Sequence, residues 1–128
     1  MTQPNYEAFR VIYSVYHPLG LEILAFPCNQ FGGQEPHTAL EVLDYARNEF
    51  HVKFPILEKI EVTGENADPL FVWLQEQDGC CEIEWNFDKF LIDSEGHVVR
   101  QQTSGEDPMD LVGDIHDLHE QWIQRHIQ

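Results

Sequence analysis

The residues best suited to chemistry in this chain are carboxamides and cysteines, and they gather around one string, LAFPCNQFGGQEP (Leu24 to Pro36). An apolar run reading as a buried strand breaks at Pro27 into a loop holding Asn29, Gln30, Gly32, Gly33 and Gln34. A strand followed by an amide-rich loop with paired glycines presents neutral hydrogen-bond donors at a site. Such donors favour an anion on a nearby atom without adding charge. Cys28 sits within the string and reads as a buried cysteine packed as a small hydrophobe rather than as a nucleophile. The other cysteines, Cys80 and Cys81, are adjacent, and a bridge between neighbours strains the intervening peptide. Three cysteines so arranged are not a disulfide framework and point to a reducing compartment. His116 and His119 share a helical face, but no further ligand set accompanies them, so they read as solvated surface rather than a metal site.

The elements that must position these groups follow from the hydrophobic periodicity. Tyr6, Phe9, Tyr13 and Tyr16 recur at helical spacing after Thr2 and Pro4, and Pro18-Leu19-Gly20 ends that helix. Leu21 to Phe26 reads as a short apolar strand. Thr38-Ala39-Leu40-Glu41 is a capping box opening a second helix with Val42, Leu43, Ala46 and Phe50 on its buried face. Lys53 to Val62 reads as extended chain interrupted by Pro55, and Thr63 to Asn66 as a turn. Asp68-Pro69 starts a short helix. Asn86 to Asp93 reads as a strand, Ser94-Glu95-Gly96 as a turn and His97 to Gln102 as the returning strand of a hairpin. Asp107-Pro108 starts the last helix, with Leu111, Ile115, Leu118 and Trp122 on one face. This order predicts an α/β domain with helices over a mixed sheet.

At 128 residues the chain is one domain, 1–128, large enough for a core of its own. Seven Lys+Arg against 23 Asp+Glu give a formal net charge of −16. Nucleic acid and anionic membrane surfaces are repelled by such a chain, and its acidic surface aids solubility. No apolar run approaches the roughly 18–20 residues of a membrane span, and no secretory signal is visible.

Four blocks of the sequence resemble the glutathione peroxidase family in order and spacing: NYEAF (Asn5 to Phe9), GLEILAFPCNQFGGQEP (Gly20 to Pro36), VKFPILEKIEVTGENADPLF (Val52 to Phe71) and WNFDKFLIDSEGHVV (Trp85 to Val99). The resemblance implies a thioredoxin-like fold of glutathione peroxidase type, here without its N-terminal strands. It also implies a catalytic tetrad in which Gln34, Trp85 and Asn86 are the supporting donors of a reactive thiol or selenol. Their chemistry is consistent with that role. The thiolate, not the thiol, attacks a peroxide O–O bond, and a carboxamide or an indole N–H can hold the anion and the charge growing on the leaving oxygen. Neighbours in a regular strand point to opposite faces. Trp85 and Asn86 can therefore serve one site only if they precede the strand or sit at its irregular start.

In the family the reactive residue lies upstream of this motif. Met1 to Tyr6 fits the run that follows it, so the expectation is a nucleophile just before Met1, negligible turnover by the chain as written, and a less stable fold with exposed apolar edges. An in-frame selenocysteine or cysteine codon immediately upstream is expected. By resemblance the function is thiol-dependent reduction of hydrogen peroxide or organic hydroperoxides, with glutathione as co-substrate, no bound cofactor, no metal, a monomeric state and a cytoplasmic location. The alternative is a non-catalytic thioredoxin-like interaction module or a gene-model fragment. Some positions depart from the family pattern. The region Tyr45-Ala46-Arg47-Asn48 has no resolving cysteine, which favours a selenium-type, glutathione-using ancestor. His37 replaces a common glycine, Asp68 a common histidine and Asp88 a common threonine, while Gln101 and Gln102 stand where members are often basic.

Overall fold

Four helices and one hairpin make up the regular structure of the computed structural model, which describes residues 2–33, 38–77, 83 and 86–126. Helix α1 spans Thr2–Tyr16, runs on as one 3-10 turn at His17–Leu19, and stops at Gly20 in the left-handed region. Helix α2, Ala39–Phe50, opens with the expected capping box: the Thr38 hydroxyl accepts from the Glu41 amide, and the Glu41 carboxylate accepts from the Thr38 amide. Helix α3, Pro69–Gln75, is capped by the Asp68 carboxylate, which accepts from the Leu70 amide at 3.0 Å. Asp68, one of the departures from the family pattern, thus has a structural task at this helix start. Strands β1 (Lys89–Ile92) and β2 (Val98–Gln102) pair antiparallel, with Lys89 opposite Gln102 and Leu91 opposite Arg100. The register then slips, so that Ile92 faces Val98 and Val99 bulges outward. A 3-10 turn at Pro108–Leu111 leads into α4, Val112–His126.

Two clusters hold these elements together. In the first, Tyr6 of α1 and Ala46 of α2 close over Val52 and Phe54. Its aromatic rings meet largely edge to face, as between Tyr13 and Phe54 at 5.8 Å and between Tyr6 and Phe87 at 5.6 Å. In the second, Ile12 of α1 packs with Leu111 and Ile115, and Leu21, Ile23 and Leu91 lie against them. Helices α1 and α4 therefore share one apolar layer with both the 21–26 segment and β1.

The structure corrects several boundaries. The strand expected at Leu21 to Phe26 is reduced to one parallel bridge, Ala25 to Ile56. The Ala25 amide donates to the Pro55 carbonyl at 3.1 Å, and the Leu57 amide donates to the Ala25 carbonyl at 2.8 Å. The next rung on one side needs an N–H from Pro55, and on the other side one from Pro27. Neither proline has one. The Ile23 amide donates instead to its neighbour Glu22 at 3.0 Å, and the Pro27 carbonyl takes Ile60, one residue past the regular register. Among the described residues the expected mixed sheet is thus a two-stranded hairpin and a separate single bridge. The strand expected from Asn86 begins at Lys89, because Asn86 and Phe87 form a turn. Of the apolar face expected for the last helix, Leu111, in the 3-10 turn before α4, and Ile115 of α4 are buried, but Trp122 is 42% exposed. Among the described residues, no helix is long and apolar enough to cross a membrane.

Candidate active site

The loop after Ala25 is built around Gln30. Its Oε1 accepts from the Val62 amide at 2.7 Å and the Thr63 amide at 3.1 Å, while its Nε2 donates to the Thr63 carbonyl at 2.9 Å. One side chain thereby satisfies three backbone groups of a segment more than thirty residues away. The chain then turns through Gly32 and Gly33 at φ of 69° and 60°, a conformation that side chains with a Cβ rarely take. Gln34, the expected catalytic glutamine, comes next in sequence and lies outside the described residues, as do Trp85, Cys80 and Cys81.

Asn86 is described, and it reaches the same loop. Its Nδ2 donates to the Phe31 carbonyl at 2.9 Å, joining the turn before β1 to the loop 55 residues earlier in sequence. The preceding-the-strand condition set by strand geometry holds for Asn86. What places it is Phe87, whose backbone φ is 63°. A bulky residue in the left-handed region is strained. The Phe87 ring is half-buried against Tyr6 in the first core cluster, and this packing holds the strained turn in place.

A third carboxamide closes the circuit. Gln75, in the last turn of α3, donates to the Val62 carbonyl at 2.8 Å and accepts from the Ile83 amide at 2.9 Å. Val62 is 3% exposed, with its amide on Gln30 and its carbonyl on Gln75. The ring runs from the loop through Gln30 to Val62, through Gln75 to Ile83, along the chain to Asn86, and back to Phe31. Sequence reading missed Gln30 and Gln75 as supports. Gln30 offered only its place within the signature, and Gln75 no signal beyond its place at a helix end.

Cys28 is half-buried rather than buried, and its thiol points at Gln30 Oε1 across 3.5 Å. It is held as a weak donor at the edge of the amide ring, which differs from the apolar packing expected of it. Near the hairpin's open end Lys89 is buried, with its ammonium donating to the carbonyls of Thr103 and Glu106. Burial pushes its pKa down, against the pull of Asp88, Glu106 and Asp107. Arg100 is paired with Asp114, and Arg125 with Glu95. Among the described residues no group of three or more His, Cys, Asp or Glu side chains is placed to hold a metal ion.

A carboxamide-rich loop on a bridged parallel segment, met by an asparagine from the turn before a hairpin, is consistent with the thioredoxin-like class expected from the sequence. The family follows from the comparisons. Residues 1–75 match the family model described as glutathione peroxidase. The chain is 44% identical over 118 residues to "Probable glutathione peroxidase 3, mitochondrial" of Arabidopsis thaliana, covering 90% of this chain and 57% of that protein. It is 42% identical over 123 residues to "Probable phospholipid hydroperoxide glutathione peroxidase" of Citrus sinensis, covering 94% and 74%. The crystal structure of Trgpx in apo form superposes with a TM-score of 0.70 at 30% identity, covering 91% of this chain and 71% of that one, and that of T. cruzi GPX1 gives 0.68 at 32% with the same coverage. The chain belongs to the glutathione peroxidase family.

Proposed function

We propose that this chain carries the donor half of a hydroperoxide-reducing site, in which Gln34, Trp85 and Asn86 support a thiolate or selenolate contributed from outside these 128 residues. The observation that carries the reading is the bond from Asn86 Nδ2 to the Phe31 carbonyl, which joins the two motifs that hold the proposed donors. That bond sets the orientation of the Asn86 carboxamide relative to the signature loop.

In the proposed reaction the anion attacks one peroxide oxygen. A sulfur–oxygen or selenium–oxygen bond forms, the O–O bond breaks, and the departing oxygen takes a proton and leaves as water or an alcohol. The oxidised centre is then reduced by two thiols: the first displaces water and forms a mixed bond to sulfur, and the second releases a disulfide and restores the nucleophile. Glutathione is the proposed thiol, and no bound cofactor or metal is needed. The site works as a monomer in the cytoplasm, on hydroperoxide and thiol alone, with no nucleic-acid or membrane partner.

The test has two arms. The 128-residue chain, assayed with hydrogen peroxide and glutathione, is expected to show negligible turnover, since donors cannot replace a nucleophile. Robust turnover abolished by Cys28→Ser overturns the reading in favour of Cys28. The chain extended upstream through its first in-frame cysteine or selenocysteine codon is expected to be active. Asn86→Ala in that form is expected to lower turnover about 100- to 1,000-fold, the range for one lost transition-state donor. An unchanged rate removes Asn86 from the site.

A further inference from the structure

Strand β1 begins at Lys89, although its register with β2 could run further back toward Asn86. Continued from the pair Lys89 and Gln102, the ladder would set Asp88 opposite Thr103, Phe87 opposite Ser104 and Asn86 opposite Gly105. A closed turn at residues 103–106 prevents this. The Glu106 amide donates to the Thr103 carbonyl at 3.1 Å, and the Glu106 carboxylate accepts from the Thr103 amide at 3.0 Å and from the Thr103 hydroxyl at 3.2 Å. Ser104 and Gly105 are the inner residues of that turn and are not extended. Lys89 ties the turn to β1. Its ammonium donates to the carbonyls of Thr103 at 3.4 Å and Glu106 at 3.1 Å, the first and last residues of the turn. The other half of the last pair acts alongside it: Gln102 is 0% exposed, and its Nε2 donates to the Asp107 carbonyl at 3.0 Å. A buried ammonium is costly without such partners, and Asp88, Glu106 and Asp107 add a favourable negative field. An apolar side chain could fill the same space without that cost, so a lysine here has a task beyond packing.

We propose that Lys89 is a positioning residue: it is the stop that ends the hairpin, and so keeps Asn86 out of the ladder and on the Phe31 carbonyl. With the ammonium seated on the turn, residues 86–88 have no extended partner to pair with. The left-handed Phe87 is then held between two anchors, its own ring on Tyr6 and the Lys89 ammonium on Thr103 and Glu106. Without the ammonium the turn opens, Phe87 relaxes into strand, and Asn86 enters the alternating register away from Phe31. The catalytic meaning of the stop rests on the proposed donor role of Asn86, whereas the placement of Asn86 does not.

The test is solution NMR on the full 128-residue chain. It needs no turnover, so it decides the placement separately from the activity assay of the donor role. In the parent the Asn86 carboxamide hydrogens are expected to show cross-peaks to Phe31 and Gly32. Lys89→Met keeps the length of the side chain and removes the ammonium. It is expected to lose those cross-peaks and to gain cross-strand contacts from Asp88 to Thr103 and from Phe87 to Ser104. The φ-sensitive coupling of Phe87 is expected to move to the value of extended backbone. A lower melting temperature with the Asn86 cross-peaks intact would mark a purely structural lysine and overturn the proposal. Should Lys89→Met fail to fold, Glu106→Ala, at an exposed position, loosens the same turn from its other side. It is expected to show the same losses and gains, and parent cross-peaks from Asn86 in that variant overturn the proposal as well.

Discussion

Replacing Gln30 with leucine tests whether the carboxamide ring, rather than the loop's own turn, holds the signature loop in place. The substitution keeps the size of the side chain and removes its acceptor and donor together. Three bonds to backbone groups go, two accepted from Val62 and Thr63 and one donated to Thr63, together with the longer contacts from the Cys28 thiol and the Thr63 hydroxyl. At about 1 kcal/mol net each, the upper figure is about 3 kcal/mol. Gln30 itself is exposed, so water can reach the freed groups of half-buried Thr63. Val62 is 3% exposed, and its amide, left without a partner, costs roughly 1–3 kcal/mol. The expected loss is therefore about 2 kcal/mol, or about 8 °C in Tm for a domain of this size. Gln30→Glu keeps the acceptor but sets a carboxylate against the Thr63 carbonyl, and is expected to lose about 1 kcal/mol. Urea titration by circular dichroism measures both losses, and hydrogen exchange at Val62 reports the ring itself. If Gln30→Leu unfolds within about 0.5 kcal/mol of the parent, with Val62 equally protected, the ring is not what fixes the loop.

Other consequences are more local. His51 ends α2 at φ 56°, so His51→Gly is expected to raise stability by about 1 kcal/mol, read from the urea midpoint at unchanged slope. Asp93 has its carboxyl lowered chiefly by the His97 and Glu95 amides. Its stabilising share is full above the unfolded carboxylate pKa near 3.9 and is lost as pH falls through the lower folded value. Between pH 7 and pH 3 the parent is expected to lose more stability than Asp93→Asn, and equal losses would clear Asp93 of that role. Arg100 and Asp114 are each about two-fifths exposed, at 39% and 41%. A double-mutant cycle on the pair is expected to give under about 1 kcal/mol and to shrink further in about 1 M salt.

Most of the helices were legible because each carries its own punctuation. Thr38 with Glu41, Asp68 with Pro69 and Asp107 with Pro108 are local signals, and each stands where the pattern placed it. The strands were less legible because pairing depends on a neighbour. Nothing in Leu21 to Phe26 as a string announces that Pro55, some thirty residues on, lacks the N–H for its second rung. The hairpin misled in a different way. The apolar end Phe90-Leu91-Ile92 suggests burial there, yet Lys89 and Gln102 are the buried pair and Ile92 lies 40% exposed. Lys89 is tolerated inside because two carbonyls receive its ammonium. At the site, the motifs gave Asn86 its neighbourhood but not its support. A glutamine that catalyses and a glutamine that braces look the same in sequence, and only the partners of Gln30 and Gln75 tell them apart.

The places where local rules fail are also where the two motifs meet. Pro27 and Pro55 halt a parallel ladder that the apolar run would otherwise extend. Two successive glycines and then a phenylalanine occupy the left-handed region, and only the phenylalanine lacks a local reason to be there. An unstrained turn at Phe87 would start β1 sooner and carry Asn86 into the alternating register of a strand. The strained turn instead leaves Asn86 free of the ladder and within 2.9 Å of the Phe31 carbonyl. The cost, on the order of 1–3 kcal/mol for such a conformation, is offset by a ring packed edge-on to Tyr6 at 5.6 Å. Tyr6 also packs with Phe50 and Phe54. The core that closes α1 over α2 therefore holds the turn that aims Asn86, and strain kept at such expense by surrounding packing is where function is expected to reside.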